Sequence, residues 1–237
     1  MDARQVIVSA EYGSTALGVA TAGSDRDVMS VFVEEPRQVT GIEPPARAVS
    51  AHADAEGIDR VLYPLRKWAA LAAAGNPTTL LLLWAPALLD DSAEWQRVLG
   101  IRDAFVSREA GERFRGYARS QREAMTGGRS GHPARPELVR EHGFDTKYGY
   151  HLVRVALQGI ELMETGALQL PLVPRTAELL GAIRRGAVPL EEVLALADEL
   201  DVRLAEAIAA SSLPDEADRA RIDEALHAVH LSCWARS

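Results

Sequence analysis

Tyr12 to Val33 reads YGSTALGVATAGSDRDVMSVFV, a Gly-Ser pair followed by Asp25-Arg26-Asp27 and then by the apolar stretch Val28 to Val33. Gly13 has no Cβ, so the backbone there can turn sharply and approach a ligand closely. Ser14 adds a hydroxyl and an N–H at the start of a short helical turn expected over Thr15 to Leu17, which together form a phosphate cradle. Asp25 and Asp27 stand two apart in an expected β-strand, so both carboxylates face one side and Arg26 the other. Like charges held that close require a cation. Hard oxygen ligands select Mg²⁺ or Mn²⁺, with water and substrate phosphates completing the shell. A phosphate cradle beside such a site suggests nucleotidyl transfer. Taken singly, Gly-Ser is usually a turn, and Asp-x-Asp beside Ser24 is usually a solvated loop or a helix cap. Their order, their spacing and the strand that follows make the combination specific.

On these residues the stretch resembles the signature of the DNA polymerase β-type nucleotidyltransferase superfamily, Gly-Ser followed by Asp-x-Asp on a strand. The resemblance implies an α+β fold, a small mixed sheet flanked by helices and followed by an all-helical C-terminal domain. It also implies a third carboxylate on a neighbouring strand, which ligands the metal or takes the proton of the attacking hydroxyl. Ile58 to Tyr63 (IDRVLY) reads as that strand. Asp59 is the candidate, because a charge inside an apolar strand is otherwise costly. Asp54 and Glu56, in the polar approach AHADAEG, are its rivals. Arg26 departs from the superfamily pattern, which more often has an apolar residue between the carboxylates. The resemblance thus implies Asp25, Asp27 and Asp59 as catalytic and metal-holding residues, and Gly13 and Ser14 as holders of the nucleotide's phosphates.

The 237 residues suffice for one large domain or two modest ones. An apolar fraction of 47% and a charged fraction of 25% are those of an ordinary globular protein. No apolar run approaches a membrane span, and the start MDARQVIVSAEYG lacks the pattern of a secretory signal, so a cytoplasmic protein with no membrane partner is expected. The lone Cys233 excludes an intramolecular disulfide and argues against a thiolate zinc site. A formal net charge of −8 is unlike a general nucleic-acid binder, so any polynucleotide must meet a local basic patch. The alternative acceptor is a protein or a small molecule.

Along the chain, Gln5 to Ser9 reads as a first strand, Glu34-Glu35-Pro36 ends the Asp-x-Asp strand, and Arg37 to Arg47 reads as an irregular connection. Ala48 to Ala51 reads as a short strand. Leu65 to Ala74 has helical composition with Gly75 as its C′ residue, and Asn76-Pro77 restarts a helix with Asn as N-cap. Gly75-Asn76-Pro77-Thr78 further resembles one branch of the superfamily, the RNA-repair-pathway nucleotidyltransferases of polymerase β type found in bacteria and phages. Pro86 to Asp91 reads as a boundary, giving a catalytic core over 1–88 and a helical domain closing the cleft over 89–237. In that second part helices are expected over Glu94 to Arg102, Ser107 to Met125, Asp145 to Thr165, Thr176 to Arg185, Pro189 to Ala210 and Pro214 to Trp234. Thr126 to Pro136 reads as a loop, either a lid carrying Arg129 and Arg135 or a surface insertion.

The second constellation lies on the helix Asp145 to Thr165. Leu152, Val155, Ala156, Gly159, Ile160 and Met163 mark its buried stripe. Lys147, His151 and Arg154 recur at i, i+4 and i+7 and fall within about 60° of one another, away from that stripe. Stacked cations repel unless something negative lies over them; the alternative is a solvated basic face. The run Lys147 to Arg154 with Gly159 to Leu162 resembles the corresponding helix of the same branch, which implies that Lys147, His151 and Arg154 bind the nucleotide or the acceptor's phosphate. The resemblance as a whole implies a metal-dependent enzyme using Mg²⁺ or Mn²⁺. Its partners would be a nucleoside triphosphate and an RNA or DNA end, with a protein acceptor as the alternative.

Overall fold

The computed structural model describes residues 5–20, 25–42, 47–51, 58–125 and 135–236. Strand β1 (Gln5–Glu11) extends the expected strand by two residues, and the turn that follows is a single helical turn, α1 (Gly13–Ala16). Strand β2 (Arg26–Val33) buries Val28, Met29, Val31, Phe32 and Val33, a nearly continuous apolar run of the kind a central strand requires. Pairing stops at Glu34-Glu35. Pro36 then opens a helix, α2 (Pro36–Thr40), inside the segment expected to be irregular; Glu35 and Gln38 form a reciprocal capping box that satisfies its first donors.

Strand β3 (Val49–Ala51) and strand β4 (Ile58–Pro64) precede helix α3 (Leu65–Ala73), which ends before Gly75 at φ +73°. Asn76 caps helix α4 (Pro77–Leu80), its side chain accepting from the Thr78 and Thr79 amides at 3.0 and 3.1 Å. The stretch read as a boundary contains a strand instead. Strand β5 (Leu88–Asp91) pairs antiparallel with β1 at the sheet edge, a long-range pairing that its four mostly exposed residues do not announce. Helix α5 (Ala93–Leu99) follows with Ser92 as its cap. The mixed sheet has the order β3-β4-β2-β1-β5, antiparallel except for the β2–β4 pair.

The remaining helices are α6 (Arg108–Met125), α7 (Pro136–His142), α8 (Thr146–Thr165), α9 (Pro174–Arg184), α10 (Leu190–Ala210) and α11 (Arg219–Trp234). Helix α7 was not legible in the sequence, and α11 begins at Arg219, five residues later than Pro214, with Asp218 as its cap. None of the described helices is long and apolar enough to cross a membrane.

The chain separates into two compact units, Met1–Phe105 with Ala217–Ser237, and Val106–Glu216. The expected division after residue 88 therefore falls at the first residue of β5, and α11 packs with the first unit. There Trp68, Trp95 and Phe105 are fully buried, with the Trp68 and Trp95 rings 5.0 Å apart edge to face. Helix α11 is tied in by Trp234 Nε1, which donates to the Glu34 carbonyl at 2.8 Å, and by Arg236 Nη1, which donates to the buried Glu94 carboxylate at 2.8 Å. Such returns of a distant helix carry no local sequence signal.

In the second unit α8 is central, with α6, α7, α9 and α10 packed about it. Gly159 allows the close approach of α6 and α10: a Cβ there would lie 3.0 Å from Phe114 Cβ and 3.1 Å from Leu204. The arginines of α6 pair mainly across to α10 rather than along their own helix. Arg115 and Arg119 both donate in bidentate fashion to Asp201 at 2.9–3.0 Å, and Arg122 pairs with Asp198.

Candidate active site

The expected phosphate cradle and carboxylates meet at one end of the sheet in the first unit. Glu11 ends β1, Gly13 turns the chain at φ +63°, and Arg26 begins the antiparallel return. The Tyr12 amide donates to the Asp27 carbonyl at 3.0 Å, which draws the turn against the start of β2. A Cβ on Gly13 would run into Asp27 Oδ2 and lie 3.3 Å from its Cγ. The glycine is therefore required twice, by its left-handed backbone and by the carboxylate packed on it. Ser14 follows in α1, partly exposed, its carbonyl accepting from Val19 at 3.0 Å.

Asp59 stands beside Asp27. The strands β2 and β4 run parallel, and their register pairs Arg26 with Ile58 and Asp27 with Asp59. In-register neighbours share a face and lie about 4.8 Å apart, so the two carboxylates flank one another while Ile58 is buried on the other side. Asp25 immediately precedes β2 and is exposed. Arg26 forms an ion pair with Glu11, which fastens the start of β2 to the end of β1. Of the rival carboxylates, Asp54 and Glu56 lie outside the described residues.

Tyr12 is a site residue that the sequence reading passed over. Its phenol is pushed up to about 12, first by burial and then by the charges of Asp27, Tyr63 and Asp59, which places it in the field of both carboxylates. It stays a neutral hydrogen-bond donor at any ordinary pH. Its adjacency to Gly13 was the only available signal.

Among the described residues no group of three or more His, Cys, Asp and Glu is arranged as a ready-made metal cage. The donors that do come together are hard carboxylate oxygens. Mg²⁺ is commonly held by one or two carboxylates with water and phosphate oxygens supplying the rest, so the pair of Asp27 and Asp59 with Asp25 alongside fits it by donor type.

Lys147, His151 and Arg154 lie on α8 in the second unit, Lys147 and His151 half-buried and Arg154 buried. Arg154 is only 6% exposed, as buried as the apolar stripe, because neighbouring helices cover α8 on nearly every side. Helical spacing separates polar from apolar positions but does not reveal how many neighbours cover a helix. Arg154 Nη1 donates to Gln158 Oε1 at 2.8 Å, and the guanidinium makes no ion pair among the described residues. Tyr150 Oη, His151 Nδ1, Arg154 Nε and Gln158 Nε2 are buried without a hydrogen-bond partner among them. Burial, followed by the charges of Arg154, Lys147, Arg135 and Arg184, pushes the His151 imidazole down to about 3. A buried cation beside the unpartnered donors Arg154 Nε and Gln158 Nε2 is costly as it stands, and an anion would satisfy both. Arg135 is engaged elsewhere, donating to the α8 cap Asp145 at 3.0 Å. His230 lies 3.2 Å from the Glu34 carboxylate and 2.8 Å from the Leu226 carbonyl.

A family model described as the RNA repair pathway DNA polymerase beta family matches residues 2–228. No curated protein matches the chain at a significant level. Among solved structures, a nucleotidyltransferase-like protein from Exiguobacterium sibiricum aligns with 87% of this chain and 69% of its own, at 10% identity and a TM-score of 0.33.

Proposed function

The chain belongs to the RNA repair pathway DNA polymerase beta family and is a nucleotidyltransferase, and we propose that it moves a nucleoside monophosphate from a nucleoside triphosphate to a hydroxyl at an RNA end. The observation that carries this reading is the register of Asp27 against Asp59, with Gly13 packed on the Asp27 carboxylate.

Gly13 and Ser14 hold the β- and γ-phosphates, the glycine by letting the backbone approach and the serine through its N–H and hydroxyl. Asp25, Asp27 and Asp59 hold Mg²⁺ or Mn²⁺, which when bound would offset the charge on the phosphate oxygens and the departing pyrophosphate. Asp59 also accepts the proton of the attacking hydroxyl. The acceptor oxygen forms a bond to the α-phosphorus as the bond from that phosphorus to the bridging oxygen breaks, and the electron pair leaves with pyrophosphate. Tyr12, neutral at working pH, stands in the field of Asp27 and Asp59 and adds no charge to the site. In the second unit Lys147, His151 and Arg154 bind a phosphate group of nucleotide or acceptor, a role supported by the buried donors that lack a partner there.

A protein acceptor is the second reading, favoured by the formal net charge of −8. Label transfer separates the two. The protein is incubated with Mg²⁺ or Mn²⁺ and each α-³²P nucleotide in turn, with RNA, DNA and cell extract offered as acceptors, beside an Asp25→Ala/Asp27→Ala control. Label on an RNA end that disappears in the control is the expected result. Label on a protein band overturns the RNA acceptor, and transfer by the control overturns the site.

A further inference from the structure

Away from the carboxylates, the first unit carries a groove of about 1030 Å³ between α3 and α11. Its floor is apolar, with Ala69, Ala73, Ile222 and Leu226 buried along it. Its rim holds Arg47, Arg66, Lys67 and Arg219, all exposed, and none of the four makes an ion pair among the described residues. Several arginines elsewhere, Arg26, Arg115, Arg122 and Arg236 among them, are by contrast matched with carboxylates. Of the two acids that line the groove, Glu34 is buried against His230 and only Asp223 is exposed. The excess of positive charge is therefore local, in a chain whose formal net charge is −8.

One end of the groove is aromatic. Trp234 is half-buried there, held by its hydrogen bond to the Glu34 carbonyl, with the His230 ring 5.3 Å away and the exposed His227 two helical turns before Trp234 and on the same side. Unpaired cations that track a backbone, joined to ring faces on which bases stack, are the two components by which proteins hold single-stranded nucleic acid. We propose that this groove binds a single-stranded stretch of RNA, the phosphates along Arg47, Arg66, Lys67 and Arg219 and a base against Trp234. The choice of RNA rests on the acceptor proposed above; the charge and the rings stand independently of it. Glu34 follows β2 at the end opposite Asp27, seven residues away and so roughly 23 Å along a strand. The groove accordingly grips the acceptor at a distance from its reacting end, giving affinity for the strand without taking part in the transfer.

The test is fluorescence anisotropy of a 5′-fluorescein single-stranded uridine oligonucleotide with the whole chain, at several salt concentrations. Four phosphate contacts predict a slope of log K against log salt of about −3. The double variant Arg66→Glu/Lys67→Glu should weaken binding by at least about tenfold at low salt and make the slope shallower by about 1.4. Both residues are exposed, so its melting temperature should be unchanged; if it is not, Arg219→Glu on α11 makes the same test from the other wall. Asp27→Ala should bind as the wild type does. Wild-type affinity and slope in both charge-reversal variants would overturn the proposal, as would absence of RNA binding by the wild type. Equal binding of a polyglutamate peptide would instead mark a docking site for acidic protein. Failure of label transfer with groove-dependent RNA binding intact would count against the proposed reaction and leave the groove standing.

Discussion

Replacing Gly13 by alanine tests the centre of the site with one carbon atom. The residue sits at φ +63°, and the added Cβ would overlap Asp27 Oδ2 and approach Cγ to 3.3 Å. An alanine in the left-handed region costs about 1–2 kcal/mol. The carboxylate must also retreat by roughly 1 Å to reach ordinary contact, and a misplacement of that size at a reacting centre costs on the order of 10²-fold in rate. With up to about 1 kcal/mol more for the displaced carboxylate, the total of about 1–3 kcal/mol lowers the melting temperature by roughly 3–10 °C for a chain of this length. Calorimetry reads the first effect and nucleotide label transfer the second. A double-mutant cycle isolates the contact. In an Asp27→Ala background the collision is gone, so Gly13→Ala should cost only its backbone share, and the two substitutions should not add. Equal cost of Gly13→Ala in both backgrounds, or wild-type melting with wild-type transfer, would refute the packing of glycine on carboxylate as the reason for Gly13.

Asp27→Asn keeps the shape and removes the charge, so transfer should fall by about 10³-fold or more while the melting temperature moves little; a variant that retains a tenth of wild-type turnover would remove Asp27 from the reaction. Arg154→Met should leave stability unchanged or raise it by about 1–4 kcal/mol, because it replaces a buried cation without an acid partner by an apolar side chain. The same variant should lose pyrophosphate binding measured by calorimetry, and a large drop in melting temperature would show that Arg154 serves packing instead. The depressed His151 value, about 3 against an ordinary 6.5, means that between those values the unfolded chain holds a proton the folded chain lacks. The stability associated with a neutral His151 is complete above pH 6.5 and is lost as pH falls through that window. Imidazole NMR should find His151 neutral at pH 5, and a titration midpoint above 6 would contradict its burial among cations.

What the sequence determined was whatever short-range chemistry fixes. Gly13 before Ser14, Asp25 and Asp27 before an apolar run, and Asn76-Pro77 at a helix start each act within a few residues, so their strands, turns and caps were readable in order. Asp59 was reachable because a carboxylate within an apolar strand needs a reason, although the strand beside it and the register that pairs it with Asp27 belong to the sheet alone. Tertiary structure decided the rest. Helix α11 joins the first unit through Trp234 and Arg236, β5 finds β1 from about eighty residues along the chain, and Tyr12 acquires its raised pKa first from burial and then from charges on other strands. Arg154 shows the division most plainly. Spacing on α8 grouped it with Lys147 and His151, but only the helices packed around α8 made it a buried charge, because burial is a property of the neighbours a residue acquires and not of its place in a helical period.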